Sequence, residues 1–186
     1  TDLDLPTGIA IGDGFFAILD RTTPSALVWS SVPTTNAPPA TPELELTSDI
    51  SGAASDIHIA GDTLFVVNDS GPTVEVWEGL AALVTGGSDR ASDVTLGTGS
   101  GGQSQSQLLV PKGVWSDGSR VLVGDAFNNR IMVWNSIPSS DGANADVVIG
   151  QTDFTSNDSG ANDAAMNFGN YAFMTVDAAG KLLVSD

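Results

Sequence analysis

Few residues in this chain are of a type and spacing that could do chemistry. The single histidine, His58, sits in the alternating run Ile57-His58-Ile59 with no nucleophile motif beside it. A Ser-His-Asp arrangement therefore has nothing to assemble around, and His58 is read as a structural or surface strand residue. There is no cysteine, which excludes a nucleophilic thiolate, a disulfide framework and a thiolate metal site. One histidine also excludes a multi-histidine metal centre built by this chain alone. Side-chain oxygens gather in the loop Asn157-Asp158-Ser159-Gly160-Ala161-Asn162-Asp163, where Asp158, Asn162 and Asp163 are the calcium candidates. The loop lacks the spacing and terminal Glu of an EF-hand and is read first as solvated. No cofactor is expected, calcium being the single one considered.

One further constellation is Asp125-Ala126-Phe127-Asn128-Asn129-Arg130. Asp125 closes an apolar run and can accept hydrogen bonds from turn amides, while Asn128 and Asn129 suit the left-handed conformation of a tight hairpin. Arg130 opens the next run. Its expected role is an ion pair with an aspartate of its own or a neighbouring unit, in preference to binding an anion.

These residues are positioned by a repeat. Apolar runs end in Trp at Ala26-Leu27-Val28-Trp29, Val74-Glu75-Val76-Trp77 and Ile131-Met132-Val133-Trp134, with spacings of 48 and 57 residues. Upstream of each lies a run ending in Asp: Phe16 to Asp20, Leu64 to Asp69 and Arg120 to Asp125, with a fourth copy from Lys181 to Asp186. A third run precedes each of these, at Gly8–Asp13, Ile57–Asp62, Gly113–Gly118 and Phe173–Asp177. Downstream, Trp29-Ser30-Ser31-Val32-Pro33 matches Trp134-Asn135-Ser136-Ile137-Pro138, and Asp93-Val94-Thr95-Leu96-Gly97 matches Asp146-Val147-Val148-Ile149-Gly150. Each unit thus predicts four strands of four to six residues separated by Gly, Asp, Asn and Pro turns. Gly79 to Val84 is given one helical turn at most. Trp29, Trp77 and Trp134 are expected to pack between units.

A lone four-stranded meander cannot cover both faces, so repeats of this length must stack. The fold class is accordingly all-β, a β-propeller of four-stranded antiparallel blades with about three and a half blades present, in one partial domain over 1–186. The units run roughly 8–50, 51–100, 108–153 and, incomplete, 171–186. A β-sandwich is the alternative, disfavoured by the repeated turn and Trp pattern. The stretch Pro111-Lys112-Gly113-Val114, Asp117-Gly118 and Val121 to Trp134 resembles an NHL repeat. Asp146 to Phe154 is similar to the segment between repeats in bacterial NHL-repeat proteins. The fourth unit matches through Asp177-Ala178-Ala179-Gly180 to Ser185-Asp186, whereas the first two units lack the Asn-Asn-Arg element. The resemblance implies an NHL-like propeller. Amidating lyases and streptogramin lyases, which resemble this family, use clustered histidines around a metal, and those have no counterparts here.

Composition bounds the partners. Twenty-three acidic residues face six basic ones in 186, a net charge of −17, and 19 of the acids are Asp, the turn-forming acid. Such a field repels phosphates, so nucleic acid and anionic membranes are excluded as preferred partners, and no apolar stretch approaches the ~20 residues of a membrane span. The 41% hydrophobic content supplies a core. An acid-rich, cysteine-free composition fits an extracellular or periplasmic protein. No signal peptide is expected among these residues, and Thr1 reads as the start of a mature or cut chain. Thr98 to Gln107 is expected to be a mobile connection, and Pro33 to Pro42 an extended linker. Asp2 to Leu5 reads as the last strand of a preceding unit.

Incomplete blades predict a piece of a larger propeller: a proteolytic fragment, a chain seen only in part, or a subunit completed by another copy or chain. Its open ends would expose apolar sheet faces. The expected function is a non-catalytic scaffold for a protein, peptide or glycan partner, the remaining blades or another chain being partners too. The alternative is a metal-dependent lyase or hydrolase whose axial site is completed by residues outside this chain. A nucleic-acid-binding propeller is the third and poorest fit.

Overall fold

The computed structural model describes residues 3–32, 34, 41–160 and 165–185. They form an all-β structure of four antiparallel sheets with little helix. The first sheet is a meander of β1 (Pro6–Gly12), β2 (Phe15–Asp20), β3 (Ser25–Trp29) and β4 (Leu44–Leu46). The second contains β5 (Ala54–Ala60), β6 (Thr63–Asn68), β7 (Thr73–Glu78) and β8 (Val94–Leu96). In the third are β9 (Pro111–Ser116), β10 (Val121–Asp125), β11 (Arg130–Trp134) and β12 (Val147–Ile149). The fourth has two strands, β13 (Met174–Val176) and β14 (Leu182–Val184). The described Leu3–Leu5 form no strand; the Asp4 amide is instead held by the Asp20 carboxylate at 2.8 Å.

Strand alternation sorts the side chains into two opposed sets, and each apolar set meets the next sheet. Ala17, Leu19, Ala26 and Val28 of sheet 1 pack with Ile57, Ile59, Leu64, Val66 and Trp77 of sheet 2. The other face of sheet 2, with Phe65, Val67, Val74 and Val76, packs with Val114, Val121, Val123, Met132 and Trp134 of sheet 3. Sheet 3 then presents Leu122, Ile131 and Val133 to Met174, Val176, Leu182 and Val184 of sheet 4. Successive sheets touch chiefly through their first strands, β1 on β5, β5 on β9 and β9 on β13.

Close approach requires glycine at two of these contacts. A Cβ on Gly12 would lie 2.8 Å from the Ile59 carbonyl oxygen, and one on Gly124 would lie 2.5 Å from that of Ala172. The β1–β2 turn, Asp13-Gly14, has φ of 50° and 90°, the left-handed pair that suits the twist of a two-residue hairpin.

Between β7 and β8 lies α1 (Leu80–Gly86), two turns where the sequence predicts at most one. Leu80 and Val84, four apart, are both buried against sheet 1, and Asp62 in the β5–β6 turn receives the first amides, Leu80 on its carbonyl (3.0 Å) and Ala81 on its carboxylate (2.6 Å). A distant acceptor and a tertiary contact thus lengthen the helix beyond its local propensity.

Candidate functional site

Asp125, Asn128 and Arg130 form one wholly buried polar cluster at the end of β10. Asp125 accepts the Leu109 amide (2.6 Å), the Asn128 side-chain amide (2.8 Å) and Arg130 Nε (2.8 Å). Arg130 donates further to the carbonyls of Phe154, Ser104 (3.1 Å) and Gln107 (2.8 Å). Burial raises the Asp125 carboxyl above its ordinary range, with the Arg130 charge acting against that shift. The guanidinium is enclosed by backbone carbonyls and is shut off from any external anion. Its partners fix two loops at once. The 98–107 segment, expected as a mobile connection, is held by Arg130, by Asn128 donating to Gly102 (2.8 Å) and by Gln105 donating to Ala145 (2.7 Å).

Asn129 does adopt the left-handed conformation, with φ of 50°. Asn128 does not. It lies in a single 3₁₀ turn, Ala126–Asn128, and uses its side chain to tie the turn to Asp125. Beside this hairpin, Gln151 Nε2 donates to the carbonyls of Asn129 (2.9 Å) and Asp158 (2.8 Å). Asp158 is exposed, whereas Asn162 and Asp163 lie outside the described residues, as do Pro33, Pro38 and Pro39. Among the described residues no three His, Asp or Glu side chains converge as a metal-ligand set.

The strand-end acceptor recurs in each full sheet. Asp20 accepts the amides of Asp4 (2.8 Å) and Thr22 (3.0 Å); although burial opposes it, these and the Leu5 amide hold its carboxyl below the ordinary range. In sheet 2 the residue in register is Asn68, not the Asp69 at which the sequence run ends, because Ala54 pairs with Asn68 as Pro6 pairs with Asp20 and Pro111 with Asp125. Asn68 Oδ1 accepts the Ser51 amide at 3.0 Å. Sheet 2 has no cation at the Arg130 position; the buried Glu75 is satisfied instead by the hydroxyls of Ser92 (2.9 Å) and Thr95 (2.7 Å). Asp69, released from that role, pairs with Lys112 of sheet 3.

Of the tryptophans, Trp77 lies between sheets 1 and 2 with its Nε1–H donating to Arg90 (3.0 Å), and Trp134 lies between sheets 2 and 3, donating to Ala143 (3.1 Å). Trp29 packs with Phe16 and Leu27 on the face of sheet 1 turned away from sheet 2, its ring centroid 5.4 Å from that of Phe16.

The first strands carry a titratable pair that the sequence reading did not single out as a site. Asp56 Oδ2 accepts the Val114 amide (2.9 Å), and His58 Nε2–H donates to the Ser116 carbonyl (3.0 Å), so both side chains bridge sheet 2 to sheet 3. Burial pushes the Asp56 carboxyl up to about 6 against the pull of the Val114 and Ile57 amides. Burial holds the His58 imidazole below its ordinary value, with the Ser116 carbonyl opposing. Asp56 borders a cavity of about 480 Å³ walled by Leu3, Pro6, Thr7, Gly8, Ile9 and Ile18. The signal was present in the repeat: the register position of Asp56 is occupied by Gly8 in sheet 1 and Gly113 in sheet 3.

No known family model matches the chain, and no curated protein does either. Among solved structures it is similar to the computationally designed Ika4 protein, at 13% identity and a TM-score of 0.52, covering 100% of this chain and 92% of that one. It is similar also to the computationally designed Ika8 protein, at 11% identity and a TM-score of 0.54, covering 96% of this chain and 45% of that one. At these identities the likeness is one of fold. No helix among the described residues is long and apolar enough to cross a membrane.

Proposed function

We propose that the chain is an NHL-like β-propeller arc of about three and a half blades, acting as a non-catalytic scaffold that presents its loops to a protein, peptide or glycan outside the cytoplasm. The observation that carries this reading is the contact series of the first strands, β1 on β5, β5 on β9 and β9 on β13. Strands that lead each sheet and touch in sequence are what a radial array requires at its axis. The repeated strand-end acceptors Asp20, Asn68 and Asp125 support it, since each holds the backbone that enters a first strand. The scaffold role is supported by the same cluster: Arg130, the most chemically capable of its residues, is enclosed and bound to carbonyls, which positions loops. An acid-rich surface favours partners that present cationic or neutral polar groups.

The test is a panel of ester, glycoside and polyuronate substrates assayed with and without added Ca²⁺ or Zn²⁺, run beside peptide and glycan arrays. Saturable array binding without metal-dependent turnover is expected. Turnover that follows the metal overturns the scaffold reading.

A further inference from the structure

We propose that the seam between the second and third sheets is a pH-sensitive joint with two opposed triggers, Asp56 loosening it as pH rises and His58 loosening it as pH falls. Both sheets have four strands among the described residues, and β5 meets β9 across the seam. Asp56 and His58 stand two apart on β5 and so share one face. Their side chains take two backbone groups of β9 that are also two apart, the Val114 N–H at 2.9 Å and the Ser116 carbonyl at 3.0 Å. The neighbouring first strands hold no titratable group at these positions: β1 has Gly8 and Ala10, and β9 has Gly113 and Trp115.

The surroundings offer neither group a counter-charge. The His58 ring centroid is 6.3 Å from that of Phe65 and 6.4 Å from that of Trp115. Strands β1 and β6 carry no charged side chain, and Asp20 of β2 is held by the Asp4 and Thr22 amides. On β9, Lys112 is paired with Asp69; just past its end, Asp117 is paired with Arg120 at 2.8 Å. Desolvation therefore outweighs the backbone hydrogen bonds at both groups, raising the Asp56 carboxyl to about 6 and lowering the His58 imidazole from its ordinary 6.5. Opening the seam returns both to water. Above 3.8 an exposed Asp56 ionises, while the enclosed one keeps its proton to about 6, so opening becomes easier as pH rises through that interval. Below 6.5 an exposed His58 takes a proton that the enclosed one does not, so opening becomes easier as pH falls.

Native-state hydrogen exchange of the full chain from pH 4 to 8, with the pH dependence of free-amide exchange divided out, tests this at the Val114 amide. In His58→Gln, whose side-chain amide can still donate to Ser116, Asp56 acts alone, and protection should fall by up to roughly fiftyfold between pH 4 and 7. In Asp56→Asn, whose side-chain oxygen still accepts the Val114 amide, His58 acts alone, and protection should instead fall as pH drops below 6.5. The double variant should lose both slopes, and amides of β2 and β3 should carry neither. Slopes of the same sign in the two single variants, or a slope that survives in the double variant, overturn the proposal. So does an equal pH response at Val114 and in β2 and β3, which is the signature of global unfolding. The wild type gives a check free of substitutions: its Asp56 carboxyl carbon should titrate near 6 by NMR, and a midpoint near 3.8 overturns the proposal as well.

Discussion

Arg130 Nε donates to Asp125 Oδ2 at 2.8 Å with neither side chain reaching solvent, so a complete ion pair lies inside the third sheet. Its geometry makes one prediction about stability. Removing Arg130 leaves a carboxylate buried among groups that cannot neutralise it, and removal of one partner of such a pair typically costs ~3–5 kcal/mol. Arg130→Met should reach that range in urea unfolding. Asp125→Asn should cost a comparable amount: an amide oxygen can still accept the Leu109 amide, but the amide nitrogen then faces the Arg130 and Asn128 donors and the buried guanidinium loses its counter-charge. Adding it to Arg130→Met should recover part of the loss. Additive costs would show that the two side chains do not act as a unit.

The seat of the fourth sheet yields another. Gly124 lies against Ala172 so closely that a Cβ there would stand 2.5 Å from its carbonyl oxygen and 2.7 Å from its Cβ. Gly124→Ala should therefore push β13 and β14 off sheet 3, at a cost of ~1–3 kcal/mol. Hydrogen exchange reads this locally: amides of residues 174–184 should lose protection while those of β5–β8 keep theirs. Gly71→Ala, where the added methyl meets nothing within 4 Å, is the control. Equal exchange in the two variants would refute the close-packing argument.

Asp56 makes a prediction about pH. Its folded-state carboxyl is pushed up to about 6, above the ordinary 3.8, so between those values the folded protein binds more protons than the unfolded one. Stability from this group therefore falls as pH rises from about 4 to about 6 and stays lower beyond. Asp56→Asn keeps an acceptor for the Val114 amide and removes the titration. The variant should gain on the wild type across that window, by up to ~3 kcal/mol near pH 7. Asp20, Asp93 and Asp117, held below their ordinary values, act in the opposite sense in both proteins and cancel in the comparison. A difference that does not vary with pH would show that Asp56 is not desolvated.

The local pattern was legible because it is local. Alternating apolar runs, Asp-Gly turns and recurring Trp are set by period-two geometry and by the few residues that tolerate left-handed backbone, so spacing alone specified four-stranded units and their order. Arg130 was legible as an ion-pairing residue, with its aspartate left open between its own unit and a neighbouring one; the β10–β11 hairpin supplies Asp125. What tertiary structure decided was every partner drawn from another segment. It made Asn68 the equivalent of Asp125 by strand register, and lengthened α1 through Asp62. It fastened the 98–107 loop to Arg130, and made Asp56 a buried bridge to Val114 where the neighbouring sheets have glycine. Carbonyls and amides carry no residue identity along the chain, so which of them a buried side chain will meet is fixed only when the sheets pack.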